Sequence, residues 1–279
     1  MIIKAPAKIN PALDIVGKRP DGYHSLEMIM QTIALYDEIE ITKAEKIEVY
    51  TDSPFVPNDE RNIAYRAAQA FFTATAIKGG AKIVIHKNIP VGAGLAGGSA
   101  DAAAVLNGLN GLYGAELSKE RLEKIGVTLG ADVPFFFTGG TCVAKGLGEV
   151  LTPIVPALKG FAVIVKPSFF VSTKWGYQNF IQSEVKIRPD IDRAVSAIRN
   201  GDLNELGANM INVLESVTAK KYPRIEEIKK DLLKNGAKGA VMSGSGSAVF
   251  GLFEDEKSAH LCADKIKRNN EAVFVVPLI

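Results

Sequence analysis

The feature that most limits how this chain can fold is a run of glycines and other small residues, Pro90-Val-Gly-Ala-Gly-Leu-Ala-Gly-Gly-Ser-Ala-Asp-Ala-Ala. It stands between an apolar, strand-like segment at 81–86 and a segment at 99–112 that reads as a helix. Gly92, Gly94, Gly97 and Gly98 remove side chains where a backbone must approach something bulky, and their N–H groups can converge on an anion. Ser99 then opens the helix, whose first N–H groups lack intrahelical partners and carry a partial positive charge. A strand, a nest of amides and a helix head predict a phosphate cradle at Pro90, Val91, Gly92, Ala93, Gly94, Leu95, Ala96, Gly97, Gly98, Ser99 and Ala100. Lys87, just upstream, is a candidate cation for it. The plainer alternative is a flexible turn.

Two other glycine motifs are weighed against this one. A P-loop is excluded, because no Gly-Lys-Ser/Thr follows the glycines. Gly92-x-Gly94-x-x-Gly97 does match the dinucleotide fingerprint, and Glu116 lies about where a ribose-binding acid would stand. That acid should end a parallel strand, however, and the residues after Glu116 read as the start of a helix. The regular strand–helix alternation of such domains is missing as well.

Elsewhere, 2–9, 11–16, 38–43 and 46–51 read as strands, with a turn at 18–22. Helices are expected at 62–76 and, capped by Ser118, at 118–129; 132–137 is short and apolar. Pro153 and Pro156 interrupt an apolar stretch and mark a boundary, giving lobes at 1–155 and 156–279. Beyond it, 161–165 reads as a strand, and 174–181, 191–198 and 203–233 (with breaks) as helices. Strands at 240–242 and 248–253 flank a second Gly/Ser loop, before a helix at 256–269 and a strand at 272–276. The fold class expected is α+β in two lobes.

Bulk properties exclude several classes of function. The 279 residues carry a net charge of +2, so there is no general footprint for nucleic acid or an anionic membrane. Cys142 and Cys262 are far apart and His24, His86 and His260 are scattered, which argues against a disulfide framework or a transition-metal site. The N-terminus lacks a secretory pattern and no apolar run approaches a membrane span. A cytoplasmic protein, monomeric or a weak homodimer, is expected.

The glycine run resembles the signature loop of the GHMP kinases, named for galactokinase, homoserine kinase, mevalonate kinase and phosphomevalonate kinase. Two more segments resemble that family's other motifs: Ala5-Pro-Ala-Lys-Ile-Asn-Pro-Ala-Leu and Ala240-Val-Met-Ser-Gly-Ser-Gly-Ser-Ala-Val-Phe. Three motifs in order span the chain. The resemblance implies the two-lobed GHMP kinase fold, with a ribosomal protein S5 domain 2-like N-terminal lobe and a ferredoxin-like C-terminal lobe. It also implies transfer of the γ-phosphoryl group of ATP, with Mg²⁺, to an alcohol. Arg19-Pro-Asp-Gly-Tyr-His, Asn62-Ile-Ala-Tyr-Arg-Ala, Leu129-Gly-Ala-Asp-Val-Pro-Phe-Phe and the Val171-Ser-Thr before Tyr177 resemble one branch of the family. That branch phosphorylates the 2-hydroxyl of a methylerythritol carrying a cytidine diphosphate moiety, in non-mevalonate isoprenoid precursor synthesis.

Residue roles follow from the same resemblance. Asp132 matches the catalytic aspartate, which orients the hydroxyl and accepts its proton; taken alone it is equally an Asp in a turn. Lys8 matches the catalytic lysine; taken alone it is a solvated lysine on a strand edge. Asn10 is beside it for hydrogen bonds near the substrate. Tyr23 and His24 match the cytidine site, and Tyr177 its opposite wall, with Trp175 a competitor. Asn62 and Lys87 match nucleotide-side positions, although Asn62 reads as readily as a helix N-cap. Gly244, Ser245 and Gly246 form a second glycine loop over the active site, or a tight turn between strands. No acid is assignable as a protein ligand for the metal. Three other readings remain open: a GHMP kinase for a smaller substrate, an NAD-dependent oxidoreductase, and a non-catalytic nucleotide-binding protein.

Overall fold

The computed structural model describes residues 1–268 and 270–279. The chain runs β1 (Ile2–Lys18), β2 (His24–Ala44), β3 (Glu48–Thr51), α1 (Ile63–Thr75), β4 (Gly80–His86), α2 (Gly97–Tyr113), α3 (Lys119–Val127) and α4 (Phe135–Thr138). It continues β5 (Thr141–Gly146), β6 (Val150–Pro153), β7 (Phe161–Lys166), α5 (Thr173–Gln178), α6 (Ile191–Asn200), α7 (Leu203–Ala208) and α8 (Glu215–Lys221). Last come α9 (Arg224–Lys234), β8 (Ala240–Met242), β9 (Val249–Phe253), α10 (Glu256–Ile266) and β10 (Ala272–Pro277). The expected end of α10, Asn269, lies outside the described residues.

These elements form two compact units that interleave in sequence. One is built from Met1–Ala7, Leu35–Val91 and Ala96–Thr138, the other from Lys8–Ala34, Gly92–Leu95 and Gly139–Ile279. The expected lobes follow a single cut after residue 155, whereas the compact units exchange segments. The reason is that β1, β2 and the glycine run each contribute to both.

In the first unit, β3 runs parallel to β4 (Glu48 opposite Lys82), and β4 runs antiparallel to the second half of β2 (Glu38 opposite His86). The alternation Glu38-Ile-Glu-Ile turns Ile39 and Ile41 to one face, where they meet Ile83 and Ile85 in a buried cluster. Ala64, Ala67, Ala68 and Phe71 of α1 and Ala100, Ala103 and Leu106 of α2 close that cluster. Small residues are what let α2 pack this tightly: a Cβ on Gly108 would stand 2.7 Å from Cδ1 of Ile41.

In the second unit, the first half of β2 pairs antiparallel with β5 (Leu26 opposite Gly146), and β5 pairs with β6. A separate four-stranded antiparallel sheet has the order β10-β7-β9-β8. The run Ala162-Val-Ile-Val is wholly buried in β7, which lies between β10 and β9. Helices α9 and α10 pack on this sheet. Among the described residues no helix is long and apolar enough to cross a membrane.

Candidate active site

The glycine run has the conformation its composition predicts. Gly92, Gly94 and Ala96 have φ of +64°, +76° and +56°. The left-handed Ala96 is the N-cap of α2, and no side chain caps that helix. Its first amides are therefore left for an outside partner, the arrangement that suits an anion. A Cβ on Gly94 would collide with the carbonyl oxygen of Ser243 and come 3.1 Å from the amide nitrogen of Gly246. One on Gly97 would press Ile89 at 3.0 Å and the Lys87 amine at 3.3 Å.

Within the first unit, Ser99 and Asp132 belong to one neighbourhood. The Ser99 hydroxyl is 3.8 Å from where a Cβ on Gly130 would be. Gly130 in turn accepts the N–H of Val133 at 3.1 Å, closing the turn that carries the half-buried Asp132. Asn62 is the N-cap of α1: its Oδ1 accepts from Ala64 N at 2.9 Å and its Nδ2 donates to Pro57 O at 2.8 Å. It is 3% exposed and caps the helix as its residue type allows. The Lys87 amine is held by two carboxylates, Asp37 and, at 2.8 Å, Asp101. Burial alone would lower its pKa, but Asp101 and Asp37 outweigh that and hold it raised.

Within the second unit, Lys8 is 3% exposed on β1, which removes the solvated-edge reading. Its Nζ donates to Oδ1 of Asn10 at 2.5 Å, and Asn10, 0% exposed, donates from Nδ2 to the Ile29 carbonyl. Asn10 thereby fixes the direction of the lysine. The backbone N–H of Lys8 donates to Leu95 O at 3.1 Å. The second glycine loop packs against the same residues, since a Cβ on Gly244 would lie 3.1 Å from Gly94 O, 3.4 Å from Lys8 Nζ and 3.5 Å from Asn10 Oδ1. Gly244 and Gly246 have φ of +54° and +86°, and the hydroxyls of Ser245 and Thr173 are 2.9 Å apart.

The aromatic candidates divide. His24 and Tyr177 are stacked, with centroids 5.8 Å apart and planes at 28°, and Phe180 meets the His24 ring edge-on. Burial and then the charge of Lys18 lower the His24 pKa, which favours a neutral ring. Trp175 faces elsewhere, edge-on to Tyr222 and 4.2 Å beneath the Lys221 amine. Tyr23 is 64% exposed.

Sequence reasoning missed Asp37, Asp101 and Asn212. Asn212 donates from Nδ2 to the carbonyls of Met242 and Gly244 and so holds the second glycine loop. Its signal is a lone amide in the apolar run Met210-Ile-Asn-Val-Leu, and Asp101 is likewise a lone acid in a helix of small residues. The dinucleotide reading fails on topology. Glu116, with φ of +51°, follows α2 in the turn before α3 and ends no strand.

The chain matches the descriptions "GHMP kinases N terminal domain" over residues 62–140 and "GHMP kinases C terminal" over 194–272. It is 48% identical over 276 residues to the 4-diphosphocytidyl-2-C-methyl-D-erythritol kinase of Clostridium kluyveri, with 99% of each chain covered. It is 49% identical over 279 residues to the protein of that name in Acetivibrio thermocellus, covering 99% of this chain and 98% of that one. A crystal structure of a 4-(cytidine 5'-diphospho)-2C-methyl-D-erythritol kinase is similar with a TM-score of 0.85 and 34% identity, covering 100% of this chain and 99% of the other.

Proposed function

Since the chain belongs to the GHMP kinases, and within them to the 4-diphosphocytidyl-2-C-methyl-D-erythritol kinases, we propose that it phosphorylates the 2-hydroxyl of 4-diphosphocytidyl-2-C-methyl-D-erythritol with ATP. The observation that carries this reading is identity of 48–49% across essentially the whole chain to kinases of that name. The α+β GHMP kinase fold agrees with it, and so do the uncapped head of α2 and its glycine run.

The reaction divides among residues as follows. The amides of the glycine run and the head of α2 bind the phosphates of ATP. Asp132 accepts the proton of the substrate hydroxyl as that oxygen bonds to the γ-phosphorus. The bond from the γ-phosphorus to its bridging oxygen breaks, and ADP leaves. Lys8, aimed by Asn10, offsets negative charge on the transferred group. Gly244, Ser245 and Gly246 close beside Lys8. Tyr23, His24 and Tyr177 form the cytidine site, where the stacked His24 and Tyr177 rings support Tyr177 over Trp175 as the wall.

Among the described residues no three acidic, histidine or cysteine side chains gather to cage a metal ion. Mg²⁺ entering with ATP would be held mainly through the phosphates, with the Ser99 hydroxyl as the protein group that would contact it. When bound, the ion neutralises phosphate charge. The lobes proposed for this chain are 1–155 and 156–279, each containing one of the two family matches.

The test is ADP release by purified protein with ATP and Mg²⁺, with and without the cytidyl substrate. Substrate-dependent release with a product heavier by one phosphate is expected. Release that responds equally to homoserine or mevalonate overturns the substrate, and none with any alcohol overturns the reaction.

A further inference from the structure

Lys87 lies just past the end of β4, and what it holds lies on both sides of the glycine run. Its amine, on a side chain only 6% exposed, donates to Asp37 Oδ2 and to Asp101 Oδ2. Asp37, wholly buried on β2, uses its other oxygen to accept the N–H groups of Asn88 at 2.7 Å and Ile89 at 2.8 Å. Those two residues lead directly into Pro90. Asp101 is in the first turns of α2, directly after Ala100. The cluster therefore grips the chain immediately before and immediately after residues 90–100. The same amine lies close to Gly97, 3.3 Å from where a Cβ would be.

The cluster is a poor way to stabilise a core. It buries two carboxylates against one ammonium, and Asp101 Oδ1 has no hydrogen-bond partner among the described residues. Apolar residues of the same volume would pack there without that desolvation. Burial, opposed by Lys87 and reinforced by Asp37, pushes the Asp101 carboxyl up to about 7. An arrangement this unfavourable makes sense where geometry matters more than stability.

We infer that Lys87, Asp37 and Asp101 form a buckle that fixes the two ends of the glycine run relative to each other, so that all three are positioning residues for ATP. Lys87 then acts through the loop and its amine does not touch the nucleotide. The inference rests on the reading of the loop as an ATP site.

The test compares Asp101→Ala, Lys87→Met and the double variant by KM for ATP, KM for the alcohol, kcat and melting temperature. The buckle predicts that each single change raises KM for ATP about tenfold, about the effect of one lost hydrogen bond to a charged group. KM for the alcohol stays within about twofold, and the double variant is no worse than the worse single one, because both changes break one unit. Asp101→Asn, which keeps an acceptor in place, restores KM for ATP to near the wild-type value. An unchanged KM in Asp101→Ala overturns the inference, whether or not the melting temperature falls, because a merely structural acid would move only the latter. Multiplying effects in the double variant overturn it too, as Lys87 would then act independently of Asp101. If Asp101→Ala does not fold, Asp101→Ser is measured with the same expectation and the same overturning result, since its short hydroxyl falls well short of the amine. Failure of the ATP reading itself is distinct, because the wild-type protein would then release no ADP.

Discussion

The run at 90–100 and the run at 243–247 look alike in sequence, glycines interleaved with serine, yet they are held by different means. The first is anchored at its ends by buried charges, while Ala96 and the glycines leave the amides at the head of α2 without a side-chain partner. The second is anchored along its length by neutral bonds. Asn212 binds the carbonyls of Met242 and Gly244, Ser243 donates to Gly94 O, and Ser247 donates to Phe169 O. Its three hydroxyls are spent on the protein. Along the first run it is carbonyls that are used, those of Ala93, Gly94 and Leu95 accepting from Ala248, Ser243 and Lys8, so its amides can be offered to a charged ligand; the second run supplies shape. Gly94 is where the two touch, with a bare Cα against the Ser243 carbonyl.

The contrast can be broken at graded cost. The largest effect is expected from Asp132→Asn, because Asp132 stands in the turn beside Ser99 and is the proposed proton acceptor, outside the cradle. Turnover should fall about a thousandfold with ATP affinity unchanged by calorimetry. A parallel loss of ATP binding would merge the two roles. Gly94→Ala drives a side chain into the second loop at a backbone φ that disfavours it, and turnover should fall about a hundredfold. A fall of less than about threefold would mean that the loops need not touch. Tyr177→Ala should raise KM for the cytidyl substrate about tenfold and leave KM for ATP alone; an equal rise in both would make Tyr177 structural. Asn212→Ala removes the donor to two carbonyls, costing about 2 kcal/mol in chemical denaturation, with KM for ATP affected less than by Asp101→Ala. A further break is read from stability against pH. Asp101 binds its proton more tightly in the folded chain, at about 7 against an ordinary 3.8, so ionisation opposes folding. Stability should decline as pH rises from about 4 to about 7 and level off above; the raised carboxyls of Asp14 and Glu215 act in the same direction, so Asp101→Asn should lessen the decline while Asn212→Ala keeps it whole. An identical pH profile in Asp101→Asn would show that the acid is not the source.

Much of this was legible before any coordinates. The helices at 62–76, 99–112 and 118–129 appear within a few residues as α1, α2 and α3, because runs rich in Ala and apolar residues and the Asn62 and Ser118 caps mark them locally. The first half of β2 was invisible for a physical reason: residues 28–33 are buried on both faces, so the polar–apolar alternation that betrays a strand is missing there. Two expected strands at 2–9 and 11–16 are one, because β1 runs on through Pro11 and pairs with β2. β5 was missed because it is short and starts against the Gly139-Gly140 turn. In the site, the glycine run is read from local composition, whereas the Asp37–Lys87 pair spans 50 residues and leaves no local trace.

The stacked His24 and Tyr177 rings have a consequence for inhibitor design. Their centroids are 5.8 Å apart, and a flat heterocycle between them needs about 7 Å, two contacts of about 3.5 Å each. Any planar ligand entering there must first part the rings by about an ångström. Thin, polarisable wedges should be favoured over bulky scaffolds, and a fragment screen that found only thick, three-dimensional hits would be reading some other surface.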